Sequence, residues 1–206
     1  MKNLVINYCL NLIKKHKDVT EQELEIIKYG LVGLYLTITK LIIISIIAII
    51  FGLFKEMIIF FVIYGVLRTF SYGIHATKSW ICLISSILMF NLIPYIASIF
   101  EINFIIKLII GIVATILMFK NSPADTHKRP IINMKKRKKL KTISTIACIL
   151  YTMLSLIITD VFYSNCFVYS MILQNILISP ITYKLFKLPY NNYISYLKKH
   201  PELNNL

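Results

Sequence analysis

Long apolar runs, separated by short polar stretches, occupy most of the 206-residue chain. The runs with little or no charge are residues 31–54, 57–67, 79–100, 102–119, 142–159 and 161–183. An α-helix needs about 20 apolar residues to cross the hydrocarbon core of a bilayer. Most of these runs qualify, whereas 102–119 is marginal and 57–67 falls short. The pattern predicts an all-α, polytopic transmembrane helical bundle of about six membrane segments, one of them short or re-entrant.

The first 30 residues follow a different, amphipathic pattern. Apolar residues recur at helical spacing between Leu4 and Ile13, and lysines follow them, which is typical of a helix lying on a membrane surface. A plain packing helix explains the same spacing equally well. Thr20 with Glu23 three residues later matches a capping box that starts a second helix. The region lacks the continuous apolar stretch of a cleaved secretory signal.

Composition and charge agree with a lipid environment. Hydrophobic residues make up 57% of the chain and charged residues only 16%, which is more apolar surface than a soluble core of this size requires. The formal net charge is +14, but nine of the basic residues lie in the stretch 120–141 between apolar runs. The positive-inside rule accounts for such a cluster. Membrane lipids are therefore expected partners, and nucleic acid is not.

The basic residues also predict a topology. Placing the N-terminus in the cytoplasm puts 20 of the 23 Lys and Arg on one side of the membrane, with both termini cytoplasmic. The chain then has three parts: an N-terminal amphipathic region (1–30), a transmembrane domain (31–183) with a basic cytoplasmic loop (120–141), and a cytoplasmic C-terminal tail (184–206). Pro94, inside the third apolar run (79–100), predicts a kink that neighbouring groups must accommodate.

The stretch 68–82 joins a short apolar run to a long one and contains Arg68, His75 and Cys82. Ionisable residues at membrane depth are costly, so this junction is a candidate functional site. On one unbroken helix His75 and Cys82 would be separated by about 10.5 Å of rise, too far for proton transfer between them. The sequence therefore predicts an interruption, which Gly73 permits, with Ser79 capping the next helix. Cys82 would then lie in or near a first helical turn, where the helix N-terminus and an imidazolium favour the thiolate.

The spacing of one His and one Cys is weakly specific, but two blocks together resemble the accessory gene regulator B (AgrB) family, membrane cysteine endopeptidases of Gram-positive bacteria. The residues of the two blocks are Arg68, Gly73, His75-Ala76 and Cys82 in the first, and Ser122-Pro123-Ala124-Asp125-Thr126 with Arg129-Pro130-Ile131 in the second. Chain length, the amphipathic N-terminus and the basic central stretch match as well. The resemblance implies that 31–183 is a catalytic domain with His75 as general base and Cys82 as nucleophile, without a cofactor or a metal.

The resemblance also implies a substrate, a propeptide of the AgrD type with an amphipathic leader, a central signal segment and an acidic C-terminal tail. Cys82 would attack the carbonyl before the tail and form a thioester-linked acyl-enzyme. An internal Cys or Ser of the propeptide would then close a thiolactone or lactone ring, giving an autoinducing peptide of bacterial quorum sensing at the cell membrane. The ring size and the choice between lactone and thiolactone stay open.

Several roles have two interpretations. Arg68 would either neutralise substrate carboxylates or anchor its helix end, Asp125 would either orient His75 or cap a loop, and the basic loop would either bind the acidic tail or only set topology. A homodimer is compatible with a small bundle, although no residue indicates one.

The runner-up function is a peptide exporter or carrier that relies on the intramembrane Lys40 and Lys107, and a non-enzymatic scaffold is third. The chain contains no Walker A pattern, which disfavours ATP-driven export.

Overall fold

The computed structural model describes residues 2–16, 19–74, 79–127 and 130–200, and the regular elements within these ranges are all helical. In chain order they are α1 (Lys2–His16), α2 (Glu21–Ile50), α3 (Phe54–Ser71), α4 (Ser79–Ile87), α5 (Ile93–Ile99), α6 (Phe104–Asn121), α7 (Met134–Ile157), α8 (Val161–Ile178), α9 (Pro180–Leu185) and α10 (Asn192–Lys199). A π-helical turn, Leu88–Leu92, joins α4 to α5. The predicted all-α fold is confirmed.

Five helical segments in the described part of the chain are long and apolar enough to cross a membrane: α2, the continuous segment Ser79–Ile99, α6, α7 and α8. The remaining predicted segment, the short apolar run 57–67, lies in α3, which is longer than the run itself. It has 18 residues, with Lys55 and Glu56 near its start and Arg68 near its end, and so extends about 27 Å. The chain is therefore a polytopic helical protein, and its shortest apolar run lies in a regular helix.

The basic stretch 120–141 is not a loop throughout, so that part of the prediction is wrong. α7 begins at Met134, and residues 134–141 form its first turns. Asn133 caps this helix by accepting a hydrogen bond from the Lys136 N–H at 2.9 Å. Lysine and arginine are good helix formers, so the charged residues extend the apolar helix instead of ending it.

Residues Met1–Phe51 form one compact unit, which contains α1 and α2. The Thr20 N–H donates to the Glu23 carboxylate at 3.0 Å, and the Glu23 N–H donates to the Thr20 hydroxyl at 3.4 Å. The predicted capping box is thus confirmed. In α1, Ile6 and Leu10 are buried, whereas Leu4 is largely exposed, so one face of this helix packs within the unit and another is left uncovered.

Residues Gly52–Leu206 form the second compact unit, and α8 is its central helix. Of the most apolar 18 residues in each helix, 56% are buried in α8 and 28% in α7. α8 packs against α3, α5, α6 and α7. Its fully buried polar residues are Ser164, Asn165, Ser170 and Gln174. Polar residues inside a membrane bundle face other helices, where they find hydrogen-bond partners. The polar positions of α8 therefore mark the interior of this unit.

The third apolar run (79–100) is irregular near Pro94, as the sequence predicts. Proline has no N–H to donate to the residue four positions earlier, and its ring clashes with that carbonyl. The π-helical turn Leu88–Leu92 ends two residues before the proline, which lies at the start of α5. The widened turn keeps Ser79–Ile99 a continuous helical segment.

Candidate active site

The segment that leads to His75 is a tight non-helical turn, residues 72–74. α3 ends at Ser71, Tyr72 has a φ of 58° and Gly73 a φ of 119°. A Cβ atom on residue 73 would lie 2.5 Å from Arg68 Nη1 and 2.9 Å from the Leu177 carbonyl oxygen. Glycine is required here both by the backbone conformation and by the available space. The predicted interruption after α3 is present, and Gly73 is central to it.

Arg68 lies near the C-terminal end of α3 and is directed at this turn. Its guanidinium donates to the Tyr72 carbonyl at 2.7 Å, to the Ile74 carbonyl at 2.5 Å and, at 3.4 Å, to the Gly73 carbonyl. Carbonyl oxygens at a helix end are the groups that the helix itself leaves unpaired. Of the two roles predicted for Arg68, these contacts are those of the helix-end anchor.

The two sequence blocks meet at this turn. The Gly73 N–H donates to the Ala124 carbonyl at 2.8 Å, and the Ala124 N–H donates to the Ser71 carbonyl at 3.0 Å. Tyr72 and Ala124 thereby form an isolated parallel β-bridge. Residues about 50 positions apart are tied together, so the block around Ala124 holds the segment that precedes His75.

The third support of the turn comes from α8. The Gln174 side-chain amide nitrogen donates to the Ser71 hydroxyl at 2.6 Å and to the Tyr72 carbonyl at 2.7 Å. The Leu177 carbonyl accepts from the Ile74 N–H at 3.2 Å. Sequence reasoning missed both contacts. The available signal was a primary amide inside an apolar span, where polar groups are costly unless they are paired.

Cys82 lies in the first turn of α4, as predicted, because that helix begins at Ser79. Ser79 is the first residue of α4, and its predicted capping role stays a prediction, because the residue before it lies outside the described residues. Cys82 is partly buried, and its carbonyl accepts hydrogen bonds from the Ser85 and Ser86 hydroxyls. His75, the predicted base, lies outside the described residues, as does Arg129 of the second block.

The other three cysteines differ from one another in burial. Cys148 and Cys166 are fully buried, whereas Cys9 on α1 is partly buried. All four cysteines are reduced in the structure. Within residues 2–16, 19–74, 79–127 and 130–200, no group of three His, Cys, Asp or Glu side chains is placed to hold a metal ion. Burial thus separates Cys148 and Cys166 from Cys9 and Cys82, which are both partly exposed.

Asp125 is a buried structural acceptor. Its carboxylate accepts from the Asn192 and Tyr193 N–H groups, at 3.0 and 2.9 Å, and lies 3.5 Å from the Arg137 guanidinium. The Tyr183 hydroxyl donates to the Asp125 carbonyl at 2.9 Å, and burial raises the pKa of this hydroxyl, which keeps it a donor. Of the two roles predicted for Asp125, the contacts are those of a cap, here at the start of α10.

Lys107, a residue on which the exporter interpretation depends, has a structural contact. It is buried in α6, and its ammonium donates to the Ser164 hydroxyl at 2.6 Å. Ser164 in turn donates to the Ser155 carbonyl at 2.6 Å. A buried charge needs such partners, so this chain of contacts ties α6, α7 and α8 together.

The sequence model of the accessory gene regulator B family matches residues 6–178, most of the chain. The chain belongs to this family. A putative AgrB-like protein of Clostridium acetobutylicum is 34% identical to it over 184 residues, which cover 89% of this chain and 88% of the relative. A putative AgrB-like protein of Listeria innocua is 37% identical over 183 residues, 87% of this chain and 88% of the relative.

A more distant relative carries the family name itself. The accessory gene regulator protein B of Staphylococcus intermedius is 28% identical over 169 residues, which cover 82% of this chain and 89% of the relative. No solved structure matches the chain at a significant level. The AgrB family acts in the agr quorum-sensing system, which involves AgrD, and is associated with processing of the agr peptide. The predicted resemblance is confirmed, and with it a role in that system.

Proposed function

We propose that this AgrB-family protein is a membrane cysteine endopeptidase that removes the C-terminal tail of an AgrD-like propeptide and promotes its cyclisation. The observation that carries the proposal is the arrangement around residues 72–74. This turn is fixed by Arg68, Ala124 and α8 directly before His75 in the chain, and Cys82 lies in the first turn of a new helix. On one unbroken helix His75 and Cys82 would be too far apart for proton transfer, and α4 begins at Ser79, four residues after His75 in the sequence.

In the first step His75 takes the proton of the Cys82 thiol, and the sulfur attacks the carbonyl carbon that precedes the tail. The N–H groups of the first turn of α4 stabilise the negative charge that develops on the carbonyl oxygen. The bond to the tail breaks, and the leaving nitrogen takes its proton from the His75 imidazolium. The products are the free tail and a thioester between Cys82 and the remaining peptide.

In the second step an internal Cys or Ser of the propeptide replaces Cys82. Its thiol or hydroxyl gives a proton to His75 and attacks the thioester carbonyl, which closes the ring and returns Cys82 as the leaving thiolate. Exchange of one thioester for another conserves the acyl bond energy, so no nucleotide is needed. Water competes as a nucleophile, and a site at the membrane boundary limits its access.

Positive charge supports the choice of an acidic tail as the segment removed. The first turns of α7 carry Lys135, Lys136 and Lys138 as exposed side chains. These lysines lie on the same element as Arg137, which pairs with the buried Asp125 of the second block. A cationic surface next to this buried ion pair would attract and orient an anionic tail. We place this surface and both termini on the cytoplasmic side.

Reconstitution tests the proposal. Purified protein in lipid vesicles, given the propeptide encoded at its own locus and no nucleotide, is expected to release the free tail, which mass spectrometry detects. His75→Ala is expected to lose this activity, since general-base catalysis contributes roughly a hundredfold or more. The matched control is His16→Ala, on the exposed end of α1, which retains it. Transport of intact propeptide into the vesicles without tail release would instead establish the exporter function.

A further inference from the structure

The turn 72–74 leaves no main-chain group for a substrate. The Tyr72 N–H donates to the Arg68 carbonyl, the Gly73 N–H to Ala124 and the Ile74 N–H to Leu177. The three carbonyls of the turn each accept from the Arg68 guanidinium, and that of Tyr72 also accepts from Gln174. A propeptide therefore has no free edge here to pair with. These contacts hold the turn itself, and His75 is the next residue in the sequence.

Gln174 is the side chain that joins α8 to this turn. Its amide nitrogen carries two hydrogens, and it has two acceptors, the Ser71 hydroxyl at 2.6 Å and the Tyr72 carbonyl at 2.7 Å. The Ser71 hydroxyl in turn donates a hydrogen bond to the Leu67 carbonyl. Both donors of Gln174 are thus used at the last residue of α3 and the first residue of the turn, where the chain leaves the helix.

Gln174 is also costly to place at this position. It is fully buried, and its amide oxygen has no hydrogen-bond partner among the parts of the chain that the structure describes. An unpaired buried acceptor costs free energy that leucine or methionine would not incur. Packing alone therefore does not explain a glutamine here, whereas control of the turn does.

We propose that Gln174 is a positioning residue of the peptidase: by fixing Ser71 and Tyr72 from α8, it sets the direction in which the chain presents His75 to Cys82. The inference rests on the proposed function, because His75 and Cys82 have these roles only there. Gln174 does not touch the reacting atoms. Its loss should reduce the rate of the chemical step and leave propeptide binding nearly unchanged, since a misplacement of about 1 Å at a catalytic group can cost roughly a hundredfold.

The test compares Gln174→Met with the parent protein in vesicles. Methionine has a similar size but no donor, so kcat for tail release is expected to fall by about tenfold or more while KM changes by less than about twofold. The matched control is Asn175→Met on the next residue. Asn175 is also buried, but among the described residues its amide donates within α8, to the Met171 carbonyl, so kcat should stay near the parental value.

Alkylation of Cys82 by iodoacetamide, mapped by peptide mass spectrometry, gives a second readout that needs no propeptide. Gln174→Met is expected to slow it, by no more than His75→Ala does, and the double variant should be no slower than His75→Ala alone. If Gln174→Met leaves little folded protein, Gln174→Asn provides the same comparison, because its side chain is shorter by one methylene and holds the amide farther from Ser71 and Tyr72. An unchanged kcat, a loss confined to KM, or additive effects on alkylation would overturn the role of Gln174. Tail release that persists in Cys82→Ala would overturn the proposed function instead.

Discussion

Replacement of Cys82 by alanine is expected to lower the rate of propeptide tail release by at least roughly a thousandfold. Without the sulfur, neither the attack on the scissile carbonyl nor the thioester that conserves the acyl group can form. Alanine is smaller by one atom, and Cys82 is only partly buried near the start of α4, so the change leaves no large cavity. Co-expression with the propeptide and then mass spectrometry of the free tail measures the effect.

The matched control for this substitution is Cys9→Ala. Cys9 is likewise partly buried but lies on α1, in the other compact unit, so tail release should stay at the parental level. Cys148 and Cys166 are poorer controls, because both are fully buried in helical packing. Normal tail release by Cys82→Ala, with the protein still inserted in the membrane, would contradict the proposed nucleophile.

Asp125→Ala is expected to release α10 from the rest of its unit. The substitution removes the acceptor of the Asn192 and Tyr193 N–H groups and leaves Arg137 without its carboxylate. Unpaired buried donors and a broken buried ion pair cost about 3 kcal/mol together. Hydrogen exchange of the Asn192 and Tyr193 amides should therefore become roughly a hundredfold faster, because about 1.4 kcal/mol corresponds to a factor of ten.

A second capping aspartate provides the control for that experiment. Asp160 caps α8 by accepting from the Tyr163 N–H at 3.0 Å, and this bond is exposed. Asp160→Ala is expected to cost about 1 kcal/mol at its own helix and to leave the exchange of α10 unchanged. If Asp125→Ala left the Asn192 and Tyr193 amides as protected as in the parent, Asp125 would not be the anchor of α10.

Much of the fold could be predicted from the sequence, because apolar runs of membrane length and N-terminal capping residues are local signals. The capping box at Thr20 and the irregularity near Pro94 appear where the sequence places them. The start of α7 could not be predicted from the apolar run alone. Its first turns are lysine-rich but still helical, since charge at a membrane surface sets topology and does not end a helix.

The site was predictable only in part. Gly73 and the short distance from Ser79 to Cys82 indicated a turn and then a new helix, and both are present. The contact of that turn with Ala124 could not be derived from spacing, because nothing local specifies a pairing over about 50 residues. Gln174 was missed for a similar reason. An amide inside an apolar span signals a buried partner, but the sequence does not name the partner.

Detection of a thioester on Cys82 is the most direct test of the proposed peptidase mechanism. Protein in vesicles would be mixed with a propeptide whose ring-forming Cys or Ser is replaced by alanine, quenched in acid and digested. We expect the peptide containing Cys82 to carry the added mass of the propeptide without its tail, and hydroxylamine to remove this adduct. Release of the tail without an adduct on Cys82, or an adduct on another residue, would contradict this mechanism.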